Sequence, residues 1–280
     1  MFYLLKSFIQ MKILLRNNDL NEALLGLSNV GFVPTMGSLH NGHISLIKKS
    51  LKNCNKTIVS IFVNPTQFNN KNDYKKYPRS IKKDLKILKK LKVNYVYIPK
   101  KSQIYNSKNQ IKILLSKKDK ILCAKYRKGH FEGVIDIMTR LTKKLKPSKI
   151  FMGEKDFQQL FLVKRFIENT IRSKIISCKT IRDKNKLALS SRNLLLNKNH
   201  LIHAGKISKD LISFKKILSK RIITKKLILT KKVELEKKYN IDIEYLEIRD
   251  KKSLNNSKKI ENSKIFIAYY LNKIRLIDNF

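Results

Sequence analysis

Residues 30–43 read VGFVPTMGSLHNGH, and this stretch sets the architecture of the chain. It begins with an apolar, β-branched run that closes at Pro34 and is followed by a glycine-containing turn. Apolar residues then recur at helical spacing, at Ile44, Ile47 and Leu51. The pattern predicts a buried strand over 30–35 that leads through a short turn into an amphipathic helix starting near His43.

The same rhythm continues to about residue 180. Further apolar runs, each typical of a strand, occupy residues 56–63, 93–99, 148–153 and 174–180. Helical patterns lie between them, over residues 80–91, 132–145 and 156–168. Strands that are apolar on both faces and alternate with helices predict a parallel, Rossmann-like sheet covered on both sides, in an α/β domain over residues 1–180.

The pattern changes after residue 180. Two Lys-rich helical stretches, 199–219 and 223–239, precede the apolar run 241–250. Two more apolar segments then flank Asn272-Lys273, a pair typical of a tight hairpin turn. We therefore predict a smaller α+β domain over residues 181–280.

Composition leaves the function open. The 280 residues carry 63 Lys+Arg against 20 Asp+Glu, a net charge of +43, which is compatible with nucleic-acid binding. However, 52 of the basic residues are Lys and only 11 are Arg, and Ile and Asn are abundant, as codon drift in an AT-rich genome would also produce. Phosphate and base recognition favour Arg over Lys, so drift is the preferred interpretation.

Other compositional signals exclude several classes of protein. No apolar run approaches the roughly 18–20 residues of a membrane span, and the opening MFYLLKSFIQM lacks the charged region and cleavage site of a signal peptide. Three dispersed cysteines, Cys54, Cys123 and Cys178, indicate thiols in a reducing compartment and no disulfide framework. We expect a cytoplasmic protein without a membrane partner.

His40 and His43 are the strongest candidates for chemistry. They stand three residues apart at the start of a helix, so they share one face. The free backbone N–H groups and the dipole at that position favour anions, and the imidazoles there would be aimed at phosphate. The chain has neither a GxxxxGK[ST] nor a GxGxxG motif. A second pair, His200 and His203, lies in a polar helix and is expected at the surface; joint zinc binding by the four histidines is an alternative.

PTMGSLHNGH resembles the histidine box of the pantothenate synthetase (pantoate–β-alanine ligase) family, within the nucleotidyltransferase superfamily. Further blocks resemble that family in the same order along nearly the whole chain. They are VSIFVNPTQF (59–68), YPRSIKKDL (77–85), GHFEGV (129–134), FMGEKDFQQL (151–160), LALSSRN (187–193), EYLEIRD (244–250) and RLIDN (275–279).

The resemblance implies ATP- and Mg²⁺-dependent ligation of pantoate to β-alanine through pantoyl adenylate, releasing AMP and pyrophosphate. It implies catalytic roles for His43 (as proton donor), His40 and Lys155. The implied ATP-binding residues are Met36, Gly37, Ser38, Leu39, His40, Asn41, Gly42, His43, Gly153, Glu154, Lys155, Asp156, Ile181, Leu189, Ser190, Ser191 and Arg192.

For the other substrates, the resemblance implies that Gln67 and Gln159 bind pantoate and β-alanine and that Asp84 lies at a Mg²⁺ ion. Gln158 is expected to face solvent, and Tyr77, Arg79 and His130 match family blocks without an assigned role. The resemblance also implies a homodimer and a C-terminal domain that closes as a lid.

Two departures from the family pattern concern the site. Lys186 stands where the family usually has Gly, which would stiffen the loop before Ser190. Asp136 stands where a small hydroxyl residue is usual, and its carboxylate would repel pantoate unless it points away or is paired. Alternatives to the ligase are another nucleotidyltransferase with the same histidine box and an RNA-binding protein that uses its basic charge.

Overall fold

The computed structural model describes residues 10–105 and 113–280. A parallel sheet lies at the centre of the first half of the chain. Within those residues six strands form it, in the order β1-β4-β3-β2-β5-β6. They are β1 (Lys12–Leu14), β2 (Val30–Thr35), β3 (Lys56–Ile61), β4 (Tyr95–Tyr97), β5 (Lys149–Gly153) and β6 (Lys174–Cys178). All five pairings are parallel, which confirms the predicted fold class.

Ten α-helices and four short 3-10 segments accompany the strands in the described part of the chain. The α-helices are α1 (Asn17–Leu24), α2 (Asn41–Asn53), α3 (Lys71–Lys76), α4 (Ile81–Lys90), α5 (Lys101–Ile104), α6 (Cys123–Tyr126), α7 (His130–Leu145), α8 (Phe157–Thr170), α9 (Lys198–Leu218) and α10 (Lys225–Tyr239). The 3-10 segments are Pro65–Gln67, Lys117–Asp119, Glu154–Asp156 and Ser191–Leu195. The long helices begin and end within a few residues of the predicted bounds.

The central strands are buried on both faces, as their continuous apolar sequences require. Phe32 and Ile58 point to one side, where they pack in a core with residues of α7 and α8. Val33 and Val59 point to the other, where they pack with residues of α2 and α4. None of the four is measurably exposed to solvent. Burying a side chain of this kind contributes about 1.5–3 kcal/mol, so the two helix layers fix the sheet between them.

The carboxyl ends of β2 and β5 mark the crevice of the sheet. The chain leaves β2 toward β3 on one side, and later returns to place β5 on the other side of β2. In open α/β sheets, ligands bind where the strand order reverses in this way. The turn that carries His40 and the loop that carries Lys155 both start at this edge.

The second half contains an antiparallel sheet of β7 (Asp242–Asp250), β8 (Ser263–Leu271) and β9 (Ile274–Asn279). Asn272 and Lys273 connect β8 to β9 with φ angles of 48° and 62°, as a type I′ hairpin turn requires. This confirms the predicted hairpin and the α+β character of the C-terminal part.

The two sheets share part of their cores. Phe131, Ile135 and Leu162 of the first half pack in one cluster with Tyr245 and Phe266 of the second. A division into domains at residue 180 therefore remains a prediction. Among the described residues, no helix combines the length and apolarity needed to cross a membrane.

The beginning of the described chain differs from expectation. β1 pairs with β4 at the edge of the sheet, and α1 follows it, although neither element was predicted. β1 has only three residues, too few to show a pattern in the sequence. The opening segment, whose sequence is unlike that of a signal peptide, lies mostly outside the described residues, which start at 10.

Most of the 20 acidic side chains hold a specific partner. Some pair with a base, as Asp278 does with Arg182 at 2.7 Å and Asp210 does with Lys231 at 2.6 Å. Others accept backbone N–H groups at turns, as Asp183 does from the residues that follow it. The excess of positive charge therefore lies on a surface with few free carboxylates.

Candidate active site

The turn from β2 to α2 is held by a buried carboxylate. Asp84, on α4 and 1% exposed, accepts the backbone N–H groups of Ser38 and Leu39, one on each oxygen, both at 2.8 Å. Gly37 passes over the same carboxylate with φ of 79°, and a Cβ at this position would lie 2.9 Å from Asp84 Oδ2. The turn therefore needs both the glycine and the carboxylate.

This geometry gives Asp84 a structural role at the turn, and its role at a Mg²⁺ ion stays a prediction. The side chain does not line the cavity described below, and both of its oxygens already accept hydrogen bonds from the backbone. In the described part of the chain, His, Cys, Asp and Glu side chains nowhere form a group of three or more that could hold a metal ion. A Mg²⁺ ion here would therefore need most of its ligands from ATP phosphate oxygens and water.

His40 and His43 lie against each other at the start of α2, with ring centroids 4.1 Å apart. The backbone N–H of Gly42 donates to His40 Nδ1 at 3.1 Å, and the N–H of His40 points to His43 Nδ1 at 3.4 Å. A Cβ on Gly42 would lie 2.7 Å from the His40 ring, so a side chain at this position would displace that ring. Since both Nδ1 atoms accept, both rings carry their proton on Nε2.

Both imidazoles are neutral in the free site. Burial, followed by the nearby Lys155, lowers the pKa of His40 to about 4. Burial, followed by the adjacent His40, lowers the pKa of His43 to about 3. At neutral pH the pair therefore offers Nε2–H groups as hydrogen-bond donors and adds no positive charge.

Lys155 follows β5 in the 3-10 segment Glu154–Asp156. The side-chain amide of Asn279, on β9, donates to the carbonyls of Glu154 and Lys155, both at 2.8 Å. The Lys155 ammonium lies 3.6 Å from the carboxylate of Asp156. Burial alone would raise the pKa of Asp156, but Lys155 and Arg192 outweigh it and keep the carboxylate ionised. β9 of the second sheet thus holds in place the segment with Lys155, which follows β5 of the first sheet.

Ser190, Ser191 and Arg192 reach the same region from the C-terminal half. The Ser191 hydroxyl donates to the carbonyl of Ser38 at 3.1 Å, which joins this segment to the histidine turn. The Ser190 hydroxyl accepts the N–H of Arg192, and the Arg192 guanidinium pairs with Asp73 at 2.9 Å. Two of the three predicted phosphate donors therefore have protein partners that a ligand would have to displace or share.

Gln67 is positioned by a residue that the sequence did not single out. Its amide nitrogen lies 3.0 Å from Met36 Sδ, and Asn64 donates to its amide oxygen at 3.2 Å. Asn64 is 1% exposed and also donates to the carbonyl of Gly133 at 3.1 Å. The asparagine lies in the block VNPTQF, directly after an apolar strand, and this position is the signal that the sequence offers for a supporting role.

Gln158 and Gln159 are neighbours on α8, but their side chains lie in different environments. Gln159 lines the cavity, as its predicted role requires. The expectation that Gln158 faces solvent is wrong: it is 5% exposed and donates to the carbonyls of Asp119 and Ile121 at 3.3 and 2.7 Å. It ties α8 to the segment before α6.

A cavity of about 910 Å³ opens where these segments meet, within the range of sites for small ligands. Most of the predicted site residues line it, namely Met36, His40, Gly42, His43, Gln67, Gly153, Lys155, Asp156, Gln159, Ile181, Leu189, Ser190, Ser191 and Arg192. The other predicted residues are not part of its lining, namely Gly37, Ser38, Leu39, Asn41, Glu154 and Asp84.

His130, Tyr77 and Arg127 also line this cavity, whereas Arg79 does not. Tyr77 is 8% exposed and packs against Phe68, while Arg79 lies over the ring of Tyr74. His130 contacts both Arg127 and the main chain at Gln67.

The two departures from the family pattern have local explanations. Asp136 pairs with Arg140 at 2.7 Å and is absent from the cavity wall, so the expected repulsion of pantoate does not arise. Lys186 has φ of 72°, the left-handed conformation that favours glycine, and its carbonyl accepts from Arg182 at 2.9 Å. The loop keeps a glycine-like backbone at the cost of strain.

The second histidine pair forms no metal site in the described residues. His203, half-buried rather than on the surface as expected, approaches the carbonyl of Tyr239 at 2.8 Å. Neither His200 nor His203 lines the large cavity.

Comparison with known proteins decides the family. Residues 10–280 match the profile described as Pantoate-beta-alanine ligase. The chain belongs to the pantoate–β-alanine ligase family. Curated relatives include the pantothenate synthetase of Francisella tularensis subsp. novicida (strain U112), which is 39% identical over 265 residues, 94% of this chain and 93% of the relative.

Solved structures of the family have the same fold. Pantothenate synthetase from Thermus thermophilus superposes with a TM-score of 0.89 at 28% identity, covering 96% of this chain and 99% of that one. Pantoate–β-alanine ligase from Francisella tularensis, solved with β,γ-ATP and β-alanine, gives 0.81 at 38% identity, covering 96% and 97%. Membership of this ligase family therefore extends over the whole described chain.

Proposed function

We propose that this chain condenses (R)-pantoate with β-alanine, using ATP and passing through pantoyl adenylate. The observation that carries the proposal is the meeting of His40, His43, Lys155, Gln67 and Gln159 around one cavity in a member of the pantoate–β-alanine ligase family. ATP is the co-substrate, as the ligand set of the Francisella tularensis structure supports.

In the first step, a carboxylate oxygen of pantoate attacks the α-phosphorus of ATP, and the bond to the β-phosphate oxygen breaks. Negative charge develops on the α-phosphate and on the departing pyrophosphate. We assign the Nε2–H donors of His40 and His43, together with the Lys155 ammonium, to this charge, because donors already fixed in place stabilise such a transition state. A buried neutral imidazole donates a hydrogen bond here without first losing a proton.

In the second step, the amine nitrogen of β-alanine attacks the carbonyl carbon of the adenylate. The bond from that carbon to the phosphate oxygen breaks, AMP leaves with the bonding electrons, and the nitrogen releases a proton to water as the amide forms. Gln67 and Gln159 are assigned to pantoate and β-alanine, since an amide offers both a donor and an acceptor to hydroxyl and carboxylate groups.

Ser190, Ser191 and Arg192 are assigned to the outer phosphates. The bond from Ser191 to Ser38 supports closure of residues 181–280 over the nucleotide as a lid. In this proposal Mg²⁺ enters with ATP as part of the substrate, on phosphate oxygens. A cytoplasmic homodimer without specific binding to nucleic acid or membrane completes the proposal.

Pantoate-dependent exchange of labelled pyrophosphate into ATP tests the proposal, because it needs only the first step. His43→Ala is expected to lower the exchange rate at least about 10²-fold, the scale of losing one transition-state donor. His200→Ala, outside the cavity, is the matched control and is expected to leave the rate unchanged. Exchange with another carboxylic acid but not with pantoate would refute the substrate assignment.

A further inference from the structure

Arg127 differs from the other arginines of the cavity in its partners. Arg127, Arg192 and Arg275 line the cavity wall of the described chain. Arg192 is paired with Asp73, and Arg275 is paired with Glu244. Among the described residues, no carboxylate lies within ion-pair distance of Arg127.

Arg127 is held in place by neutral groups. His130 Nδ1 lies 2.7 Å from the carbonyl oxygen of Gln67, and since a carbonyl only accepts, this nitrogen carries the proton. His130 Nε2 is then the acceptor for an N–H of Arg127 at 3.0 Å. A second N–H of Arg127 reaches the same Gln67 carbonyl at 3.4 Å. Burial, followed by Arg127 itself, lowers the pKa of His130 to about 3, in keeping with this neutral form.

His130 and the Gln67 carbonyl together form a neutral brace for Arg127. This brace orients the guanidinium and leaves its charge in place. A guanidinium has five N–H donors in a fork that suits a carboxylate, and the brace uses two of them. Burial and the neighbouring Arg192 lower the pKa of Arg127 to about 10, so the group still carries its charge at neutral pH. A half-buried guanidinium that has no ion-pair partner among the described residues and has N–H donors to spare is a site for an anion.

We propose that Arg127 binds the carboxylate of the amine substrate, β-alanine, and so selects an amino acid over a simple amine. This inference rests on the proposed function. The phosphates have Lys155, Arg192 and the start of α2, and the pantoate carboxylate is consumed at the α-phosphorus. Of the two substrate carboxylates, only that of β-alanine stays ionised through both steps. Arg127 is anchored to Gln67, the residue assigned to the acyl and amine substrates.

The arrangement explains how a flexible amine is aimed. A carboxylate in the Arg127 fork leaves the amino end of β-alanine free to reach the acyl carbon beside Gln67. An amine without a carboxylate has no group that the Arg127 guanidinium can bind. Its amino end is therefore not directed at the acyl carbon. Selectivity in the second step then depends on one guanidinium.

The test separates the two half-reactions in Arg127→Leu. Pyrophosphate exchange with pantoate, measured without β-alanine, is expected to stay within about twofold of the unchanged protein. The KM for β-alanine in the complete reaction is expected to rise about 10- to 100-fold, the range for losing hydrogen bonds to a charged group. The rate with propylamine, which lacks the carboxylate, is expected to change little, so the preference for β-alanine shrinks.

Two further variants control for structure. Arg172→Leu removes an exposed arginine outside the cavity and is expected to leave both half-reactions unchanged. Arg127→Lys keeps the charge but not the fork and is expected to give an intermediate KM. Added methylguanidinium is expected to restore part of the β-alanine reaction in Arg127→Ala.

An unchanged preference for β-alanine over propylamine in Arg127→Leu would overturn the inference. Loss of exchange in proportion to loss of the complete reaction would also overturn it, since it would place Arg127 on pantoate or the nucleotide. Absence of exchange in the unchanged protein would instead count against the proposed function, so the two failures are distinguishable.

Discussion

Replacing Asp84 by Asn removes one of the two carboxylate oxygens that hold the turn ahead of His40. Each oxygen accepts one backbone N–H, from Ser38 and from Leu39, at 2.8 Å in a site that is 1% exposed. An Asn side chain has nearly the same shape but places an NH₂ group against one of these N–H donors. One buried backbone N–H is then left without an acceptor.

The cost follows from these contacts. A hydrogen bond to a charged group contributes about 1.5–3 kcal/mol, and an unsatisfied buried donor costs about 1–3 kcal/mol. Because the two quantities overlap, we expect Asp84→Asn to lower the free energy of unfolding by about 2–4 kcal/mol. For a domain of this size each kcal/mol corresponds to roughly 2–4 °C, so the Tm is expected to fall by about 5–15 °C.

Thermal melting and pyrophosphate exchange at several magnesium concentrations measure the two sides of this prediction. If Asp84 positions the turn, the Asp84→Asn variant has a lower Tm and a lower exchange rate than the unchanged protein, and added Mg²⁺ restores neither. Asp242→Asn is the matched control, since Asp242 is exposed and has no side-chain partner in the described residues. Its Tm is expected to stay near that of the unchanged protein.

A normal Tm for Asp84→Asn, together with exchange restored by added Mg²⁺, would refute the reasoning. That result would show that Asp84 acts on the metal and that its contacts to the turn contribute little to stability.

Three other changes test separate parts of the structure. Because the folded pKa values of His43 and His130 are about 3, below the ordinary value of 6.5, only the unfolded chain takes up protons between these values. Urea unfolding is therefore expected to show that the free energy of unfolding falls as pH drops from 6.5 toward 4, by about 1.4 kcal/mol per pH unit for each histidine. His130→Gln is expected to reduce this slope. An equal slope in the variant would contradict the prediction. Lys186→Gly is expected to relieve a left-handed residue and raise the Tm by about 2–4 °C, which a melting curve checks, and a lower Tm would show that the turn is unstrained. Asn279→Leu is expected to free the loop of Lys155 and lower pyrophosphate exchange about 10- to 100-fold, since small misplacements of a catalytic group are costly; normal exchange would show that the loop holds itself.

The sequence was informative where one local pattern decides the structure. The apolar run 30–35, the hairpin at Asn272-Lys273 and the long amphipathic helices all occur within a few residues of their predicted places. Each depends on periodicity or turn chemistry that a short window contains. The short edge strand β1 has no such window and was missed.

Contacts between segments that are distant in the chain were harder to predict from the sequence. Nothing around Asp84 indicates that its partners are backbone groups 45 and 46 residues earlier. Likewise, a glutamine such as Gln158 on a helix is typical of polar surface, but the tertiary fold buries it under two carbonyls. Polar residues that satisfy remote backbone groups have no periodic signal, so their roles emerge only from the three-dimensional structure.

The distribution of acidic residues has a consequence for how this protein tolerates mutation. Most carboxylates hold a base or a backbone group, as Asp278, Asp210 and Asp183 do, while many lysines stand on open helix faces. Tolerance is therefore expected to depend on the sign of the charge that is lost. Neutralising a lysine removes one of many equivalent surface charges, whereas neutralising an aspartate usually breaks a bond on which the fold relies. In a saturation screen for stability, the sensitive charged positions are expected to be the acidic ones and their largely buried basic partners, such as Arg182 and Lys231.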